Sequence, residues 1–118
     1  MIDINEIMTE RFAEGWMPVL MVNKGWETLL EDLHRELVEV VPDYKIHQVK
    51  EKLGGLRFYF DPNIKNDGAI ERAHNIVDRY ESKSYEVCEI TGKEGKLVAK
   101  DGWMKVLCPE LAEEHGYE

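Results

Sequence analysis

Apolar residues recur at helical spacing in two long stretches of the chain and alternate in a third. In residues 25–41, GWETLLEDLHRELVEVV, Trp26, Leu29, Leu30, Leu33, Leu37, Val40 and Val41 share one stripe. Glu27, Glu31, Asp32, Arg35, Glu36 and Glu39 share the opposite one. This period predicts an amphipathic helix, and Pro42 ends it because proline has no N–H to continue the ladder. Residues 68–82, GAIERAHNIVDRYES, repeat the pattern with Ile70, Ala73, Ile76, Val77 and Tyr80 inward. A shorter helix is predicted over 3–13, with Ile4, Ile7, Met8 and Phe12 on one stripe and Gly15 beyond its end. Asp3 would cap it, and Glu6 three residues on completes a capping-box pattern.

Residues 44–61, YKIHQVKEKLGGLRFYFD, carry the strand period: Leu56, Phe58 and Phe60 alternate with Arg57 and Tyr59. Gly54-Gly55 would supply the positive φ angles of a tight hairpin turn. Ile46 and Val49 have opposite parity in the first arm, which a bulge or a two-sided strand would explain. Residues 15–25 are expected to be irregular, since Pro18 and two glycines break any period, and 61–68 form a polar loop. Residues 85–90 read as a strand, 91–95 as a turn, and 96–108 as two strands around Asp101-Gly102. Pro109 suits the first position of a last helix that Gly116 closes. The predicted fold is α+β: a small antiparallel sheet packed against amphipathic helices.

The chain has 118 residues, enough for one domain with a core of its own. A helix–hairpin–helix core is expected over 1–83 and a smaller subregion over 84–118. Acids outnumber bases 24 to 15, for a net charge of −9. This argues against direct binding of nucleic acid or anionic lipid, which are held by clustered Lys and Arg. It suits a basic protein partner, or mimicry of a nucleic acid's charge. The first ten residues have no basic and apolar signal-peptide pattern, and the longest apolar run, WMPVLMV, is too short to span a bilayer. Two cysteines do not make a disulfide framework. The expectation is a cytoplasmic protein with reduced thiols.

The two cysteines pose a question of their own. Zinc modules often read C-x2-C-x15–20-C-x2-C, because each knuckle presents two ligands to one tetrahedral ion. The corresponding slots here are Cys88, Thr91, Cys108 and Leu111. A glycine follows the first knuckle, a hairpin lies between, and a helix opens at the second. VKEKLGGLRFYF, followed by a helix and then CEITG and GWMKVLCPEL, resembles a group of small uncharacterised bacterial and phage proteins. That group combines a VKEKFGGLRFY-type hairpin with a C-terminal C-x-x-C-G…GW-x-x-x-L-C-x-x-H zinc-knuckle pattern. The likeness spans roughly residues 25–117. It implies a related fold, with a degenerate zinc-ribbon or treble-clef-like hairpin and helix, and an origin on a mobile element. It brings no catalytic residues with it. Thr is a poor zinc ligand and Leu none, so the reading is a knuckle that keeps its shape without metal. Leu111, Val98, Trp103 and Leu107 would then pack where an ion sits. No cofactor is expected. The alternative is zinc on a rebuilt set, Cys88, Cys108 and His115.

His34, His47, His74 and His115 form no metal-ligand pattern, and LGGL is no phosphate loop. Cys108, at a helix start, lacks a neighbouring base that would make it a nucleophile. Between residues 45 and 57, Lys45, Lys50, Lys52 and Arg57 face only Glu51. If Leu56, Phe58 and Phe60 are buried, Arg57 and Tyr59 point outward together. Lys50, Lys52, Arg57 and Tyr59 are therefore the candidate ligand-binding residues, set against the plainer view that these bases pair with the protein's own acidic helices or guard a sheet edge. Three functions compete. The favoured one is a non-enzymatic, acidic interaction protein, phage- or prophage-encoded, that binds a protein partner through acidic helix faces or an exposed tryptophan, in one version inhibiting a host defence system. The second is a small-anion or nucleotide binder using the basic hairpin. The third is a metal-dependent enzyme with the rebuilt zinc site.

Overall fold

The computed structural model describes residues 3–118. Helix α1 (Ile4–Thr9) leads to a two-residue strand β1 (Leu20–Met21), a 3₁₀ turn at Lys24–Trp26 and the long helix α2 (Glu27–Val40). The hairpin β2 (Lys45–Lys52) and β3 (Gly55–Asp61) follows, then α3 (Asp67–Lys83), a 3₁₀ turn at Ser84–Glu86, the second hairpin β4 (Lys96–Lys100) and β5 (Trp103–Leu107), and α4 (Pro109–His115). The architecture is a small α+β fold. No helix among the described residues is long and apolar enough to cross a membrane.

The α2 and α3 stripes behave as their period requires. Leu29, Leu30, Leu33 and Leu37 are buried on α2, and Ala69, Ala73, Ile76, Val77 and Tyr80 on α3. Ile70 is only half-buried. Asn66 caps α3 by accepting the Ala69 N–H at 3.0 Å. The two helices are clasped by Glu36, whose carboxylate receives Arg79 Nη2 at 2.7 Å and the Tyr80 hydroxyl. They cover one face of the first sheet, burying Ile46, Val49, Leu56 and Phe58 in a single core with Trp26, Val41 and Tyr44. Arg11 closes the rim of that core. Its guanidinium lies 4.3 Å from the Tyr44 ring centroid and donates to the carbonyls of Pro42 and Tyr44.

Several expectations are corrected. α1 stops at Thr9, and Asp3 accepts the Asn5 N–H. The chain turns away because Arg11, Phe12 and Ala13 bond alongside Ile46. The 15–25 segment contains β1, which pairs in parallel with Val49 and Lys50, so the sheet is mixed, in the order β1-β2-β3. The hairpin turn is Leu53-Gly54, with φ of 54° and 89°. Gly55 lies inside β3, where a Cβ would come within 2.3 Å of the Tyr85 ring. The parity conflict in β2 is a bulge: the register shifts between Ile46 and Gln48. Both His47 and Gln48 are thereby interposed between two inward residues, Ile46 and Val49. Residues 85–90 are not a strand. They form the 3₁₀ turn and a tight loop, with only Val87 bridging to Glu94.

The C-terminal subregion has a small apolar cluster of its own: Cys88, Leu107, Cys108 and Ala112, with Val98, Leu111 and Tyr117 against it. Gly116 ends α4 in the left-handed region, at φ 74°, and the chain then pairs Glu118 with Ala99 along the free edge of β4. The subregion joins the main core through a backbone-to-backbone contact. Gly25 N–H donates to the Glu89 carbonyl at 2.8 Å, and Trp26 Nε1–H to the Val87 carbonyl at 2.9 Å. A Cβ on Gly25 would lie 2.3 Å from the Cys88 carbonyl oxygen. Gly25→Ala is therefore expected to destabilise the whole protein by ~3 kcal/mol, the upper range for overpacking a rigid site. The urea midpoint measures this; an unchanged midpoint would contradict the tight joint.

Candidate functional site

The sheet has one covered face and one open face. Pairing puts Lys50 directly across from Arg57, Gln48 across from Tyr59, and Met21 beside Lys50. Directly paired residues lie on the same side of a sheet, so these side chains share the open face. Lys50 Nζ lies 5.9 Å from the centroid of the Tyr59 ring, which is 42% exposed. Arg57 Nη1 donates to the Leu56 carbonyl at 3.1 Å and to the Tyr85 hydroxyl at 3.3 Å. That hydroxyl holds the guanidinium pKa further above its ordinary value. The bulge adds His47 to this face, with the Trp16 ring stacked on it at 4.9 Å. The structure thus brings together Lys50, Arg57 and Tyr59 of the four candidate ligand-binding residues. Lys52, opposite Gly55, is on this face by register and also lines a groove at the hairpin tip.

The ion pairs proposed as the plainer explanation are not made: among the described residues no carboxylate comes within 4 Å of Lys50, Lys52 or Arg57. The exposed edge of β3 is instead guarded by side chains of α3 and the turn after it. Phe58 N–H donates to Glu81 at 2.8 Å, and Leu56 N–H to the Ser84 hydroxyl at 3.0 Å. Burial raises the Glu81 pKa, while the Phe58 N–H and Arg57 act against that rise.

The tip of the first hairpin rests on the second. A Cβ on Gly54 would lie 2.4 Å from Leu97 Cδ1. Between the two tips runs a groove of about 680 Å³ lined by Lys52, Leu53, Trp103, Met104, Lys105 and Tyr117. Trp103, expected to fill the space beside the knuckle, is instead 72% exposed here, and Leu53 is 62% exposed. The type of turn explains Leu53. Its two central residues need positive φ, which suits Asn or Gly and costs a leucine roughly 1–2 kcal/mol. Residue alternation alone does not reveal this groove, because it arises where two hairpins distant in sequence meet.

Cys88 and Cys108 are both buried and free. Thr91 N–H donates to Cys88 Sγ at 3.4 Å. Burial pushes the Cys88 thiol up, but hydrogen bonds from the Thr91 side chain and from the N–H groups of Thr91, Cys108 and Ile90 outweigh it and leave the pKa below its ordinary value. The Thr91 N–H closes a short loop back onto Cys88. Zinc does not fit the residues present. Leu111 packs as an apolar side chain against the cysteine cluster. His115 is exposed, with its carbonyl accepting from Lys100 Nζ at 2.9 Å. Among the described residues no three His, Cys, Asp or Glu side chains gather in a way that could hold a metal. The rebuilt set Cys88, Cys108 and His115 is therefore not assembled, because the exposed histidine does not join the two buried thiols. The other histidines serve the fold: His34 Nδ1 meets the Tyr44 hydroxyl at 2.7 Å, and His74 packs on Phe60 at 5.0 Å. Chelator treatment is expected to leave the melting temperature unchanged; a fall would restore the metal reading.

One carboxylate escaped the sequence reading. Glu89 is 2% exposed, beneath a cleft of about 340 Å³, with Lys105 Nζ at 3.6 Å and Glu51 on the same wall. Burial raises its pKa and the Glu51 charge adds to the rise, with Lys105 opposing both. Comparison with family models, curated proteins and solved structures returned no match to this chain.

A raised carboxyl pKa means that the folded protein holds the proton to higher pH than the unfolded chain. Its contribution to stability is complete below the ordinary carboxylate range and is lost as pH rises through the raised value. Glu89→Gln, which stays neutral, should therefore melt higher than wild type at pH 8, with the gap closing by pH 4. A lower melting temperature for the variant at pH 8 would mean that the Lys105 pair outweighs desolvation.

Proposed function

We propose that this protein is a non-enzymatic interaction protein, borne by a phage or prophage, that binds a protein partner at the groove between its two hairpin tips. The observation that carries this reading is the pairing of an exposed Trp103 with an exposed Leu53 held at φ 54°. A leucine in that conformation costs stability without filling the core. Trp is the residue most enriched in the small clusters that dominate binding energy at interfaces. The groove offers Trp103, Met104 and Tyr117 as apolar lining, with Lys52, Lys105 and Glu51 as its charged residues.

The occupant that fits is a protein that offers one apolar side chain to the groove, meets Lys52 and Lys105 with an acidic group, and is otherwise basic. A net charge of −9 raises the encounter rate with such a surface through long-range attraction. On α2 the acidic face is only partly neutralised, by Arg35 on Asp32 and Arg79 on Glu36. A basic groove built for phosphates belongs to many nucleic-acid-directed defence proteins. Inhibition of a host defence system is the form of this function that both the charge and the family likeness favour.

Leu53→Asn separates binding from folding. It should stabilise the protein by about 1 kcal/mol, since Asn tolerates the left-handed region, and it should weaken partner retention. Trp103→Ala should abolish retention with little change in melting temperature. The measurement is quantitative proteomics of host proteins held by immobilised wild type and by each variant. A set of retained proteins that is the same for all three would refute the groove as the docking site.

A further inference from the structure

We propose that the open face of the first sheet carries an anion seat, formed by Lys50 and Arg57, for a nucleoside phosphate whose ring lies against Tyr59. The argument starts from the register. Lys50 and Arg57 are direct cross-strand partners, and like charges so placed repel. The chain has 24 acidic residues, yet no carboxylate among the described residues comes within 4 Å of either cation. Glu81, the acid whose field reaches Arg57, is bound to the Phe58 N–H. No ion pair among the described residues relieves the repulsion, and an external anion seated between the two cations would.

Arg57 is also held in place by neutral groups. Tyr85 lies across Gly55, where any Cβ would come within 2.3 Å of its ring and hydroxyl, and that hydroxyl accepts from Arg57 Nη1. The Leu56 carbonyl accepts from the same nitrogen. Both anchors use Nη1, which leaves Nη2 and Nε to make the two parallel bonds a phosphate accepts from a guanidinium. Tyr59 stands two residues along the same strand face, 42% exposed, with Lys50 Nζ 5.9 Å from its ring centroid. A planar base can stack there while its phosphate reaches the two cations. Gly55 and Tyr85 are positioning residues; Lys50, Arg57 and Tyr59 touch the ligand.

The seat is tested by titrating isotope-labelled protein with ADP, inorganic phosphate and adenosine and following amide shifts over residues 48–59. ADP should produce saturable shifts at these positions, phosphate weaker ones at the same positions, and adenosine none that saturate. Arg57→Ala should weaken ADP binding at least about tenfold, the effect of one charge-assisted hydrogen bond. Arg57→Lys keeps the charge and should recover little, because it lacks the fork. Tyr85→Phe should weaken ADP binding while leaving the fold intact, as only the hydroxyl anchor is removed. No saturable shift with ADP, equal binding of ADP and phosphate, or full binding by either Arg57 variant would overturn the proposal. Trp103→Ala should bind ADP as wild type does, so the outcome is independent of the groove.

Discussion

The fold depends on one close contact between two stretches of backbone. At Gly25 the chain enters α2 and also touches the knuckle loop, with Cys88 and Glu89 so near that no side chain fits between. Gly92 presses from the other side, its Cβ position 3.2 Å from the Gly25 carbonyl oxygen. The buried Trp26 next to it fills the main core and ties its indole N–H to Val87. The main core is the larger, and the cysteine cluster, with four buried residues, is too small to be secure alone. The joint makes them cooperate, since losing the Gly25 contact exposes the loop that shapes the second cluster.

That joint also determines where the surface features meet. Because the knuckle is pinned to the start of α2, the second hairpin lies against the tip of the first, and Leu97 packs on Gly54. Leu53 and Trp103 become neighbours across a groove for this reason, and Glu89 is sealed beneath a cleft beside Lys105. The loop around Cys88 is held by a hydrogen bond and by apolar packing. The Thr91 N–H donates to Cys88 Sγ, and apolar contacts from Val98, Leu111 and Tyr117 complete the cluster.

Charge is distributed against the average. An acidic chain keeps Lys50 and Arg57 side by side on an open face, and spends its acids on helix surfaces, on an interhelix clasp through Glu36, and on the β3 edge through Glu81. The edge that lysines were expected to guard is closed by Glu81 and Ser84, and Glu81, held there by the Phe58 N–H, still exerts its field on Arg57. Among the described residues neither cation of that face makes an ion pair, and Arg57 bonds neutral groups, the Leu56 carbonyl and the Tyr85 hydroxyl.

The amphipathic stripes of α2 and α3, the alternation of Leu56, Phe58 and Phe60, the Asp101-Gly102 turn and the Pro109 and Gly116 boundaries of α4 were legible in the sequence. Each follows from periods or backbone preferences that act over a few residues. Candidate residues Lys50, Arg57 and Tyr59 were legible for the same reason, since strand parity alone puts Arg57 and Tyr59 on one face. Tertiary structure decided the rest. The short β1 is a strand only because β2 offers it a parallel edge. Residues 85–90 follow a turn because Gly25 and Trp26 claim their carbonyls. The hairpin turn is Leu53-Gly54 while Gly55 lies inside β3 under the Tyr85 ring, and Trp103 is exposed while Leu111 and Tyr117 pack beside the cysteines. Local pattern sets which elements form and which way each faces. Which surfaces meet is determined by contacts between residues far apart in the chain, and no local period records them.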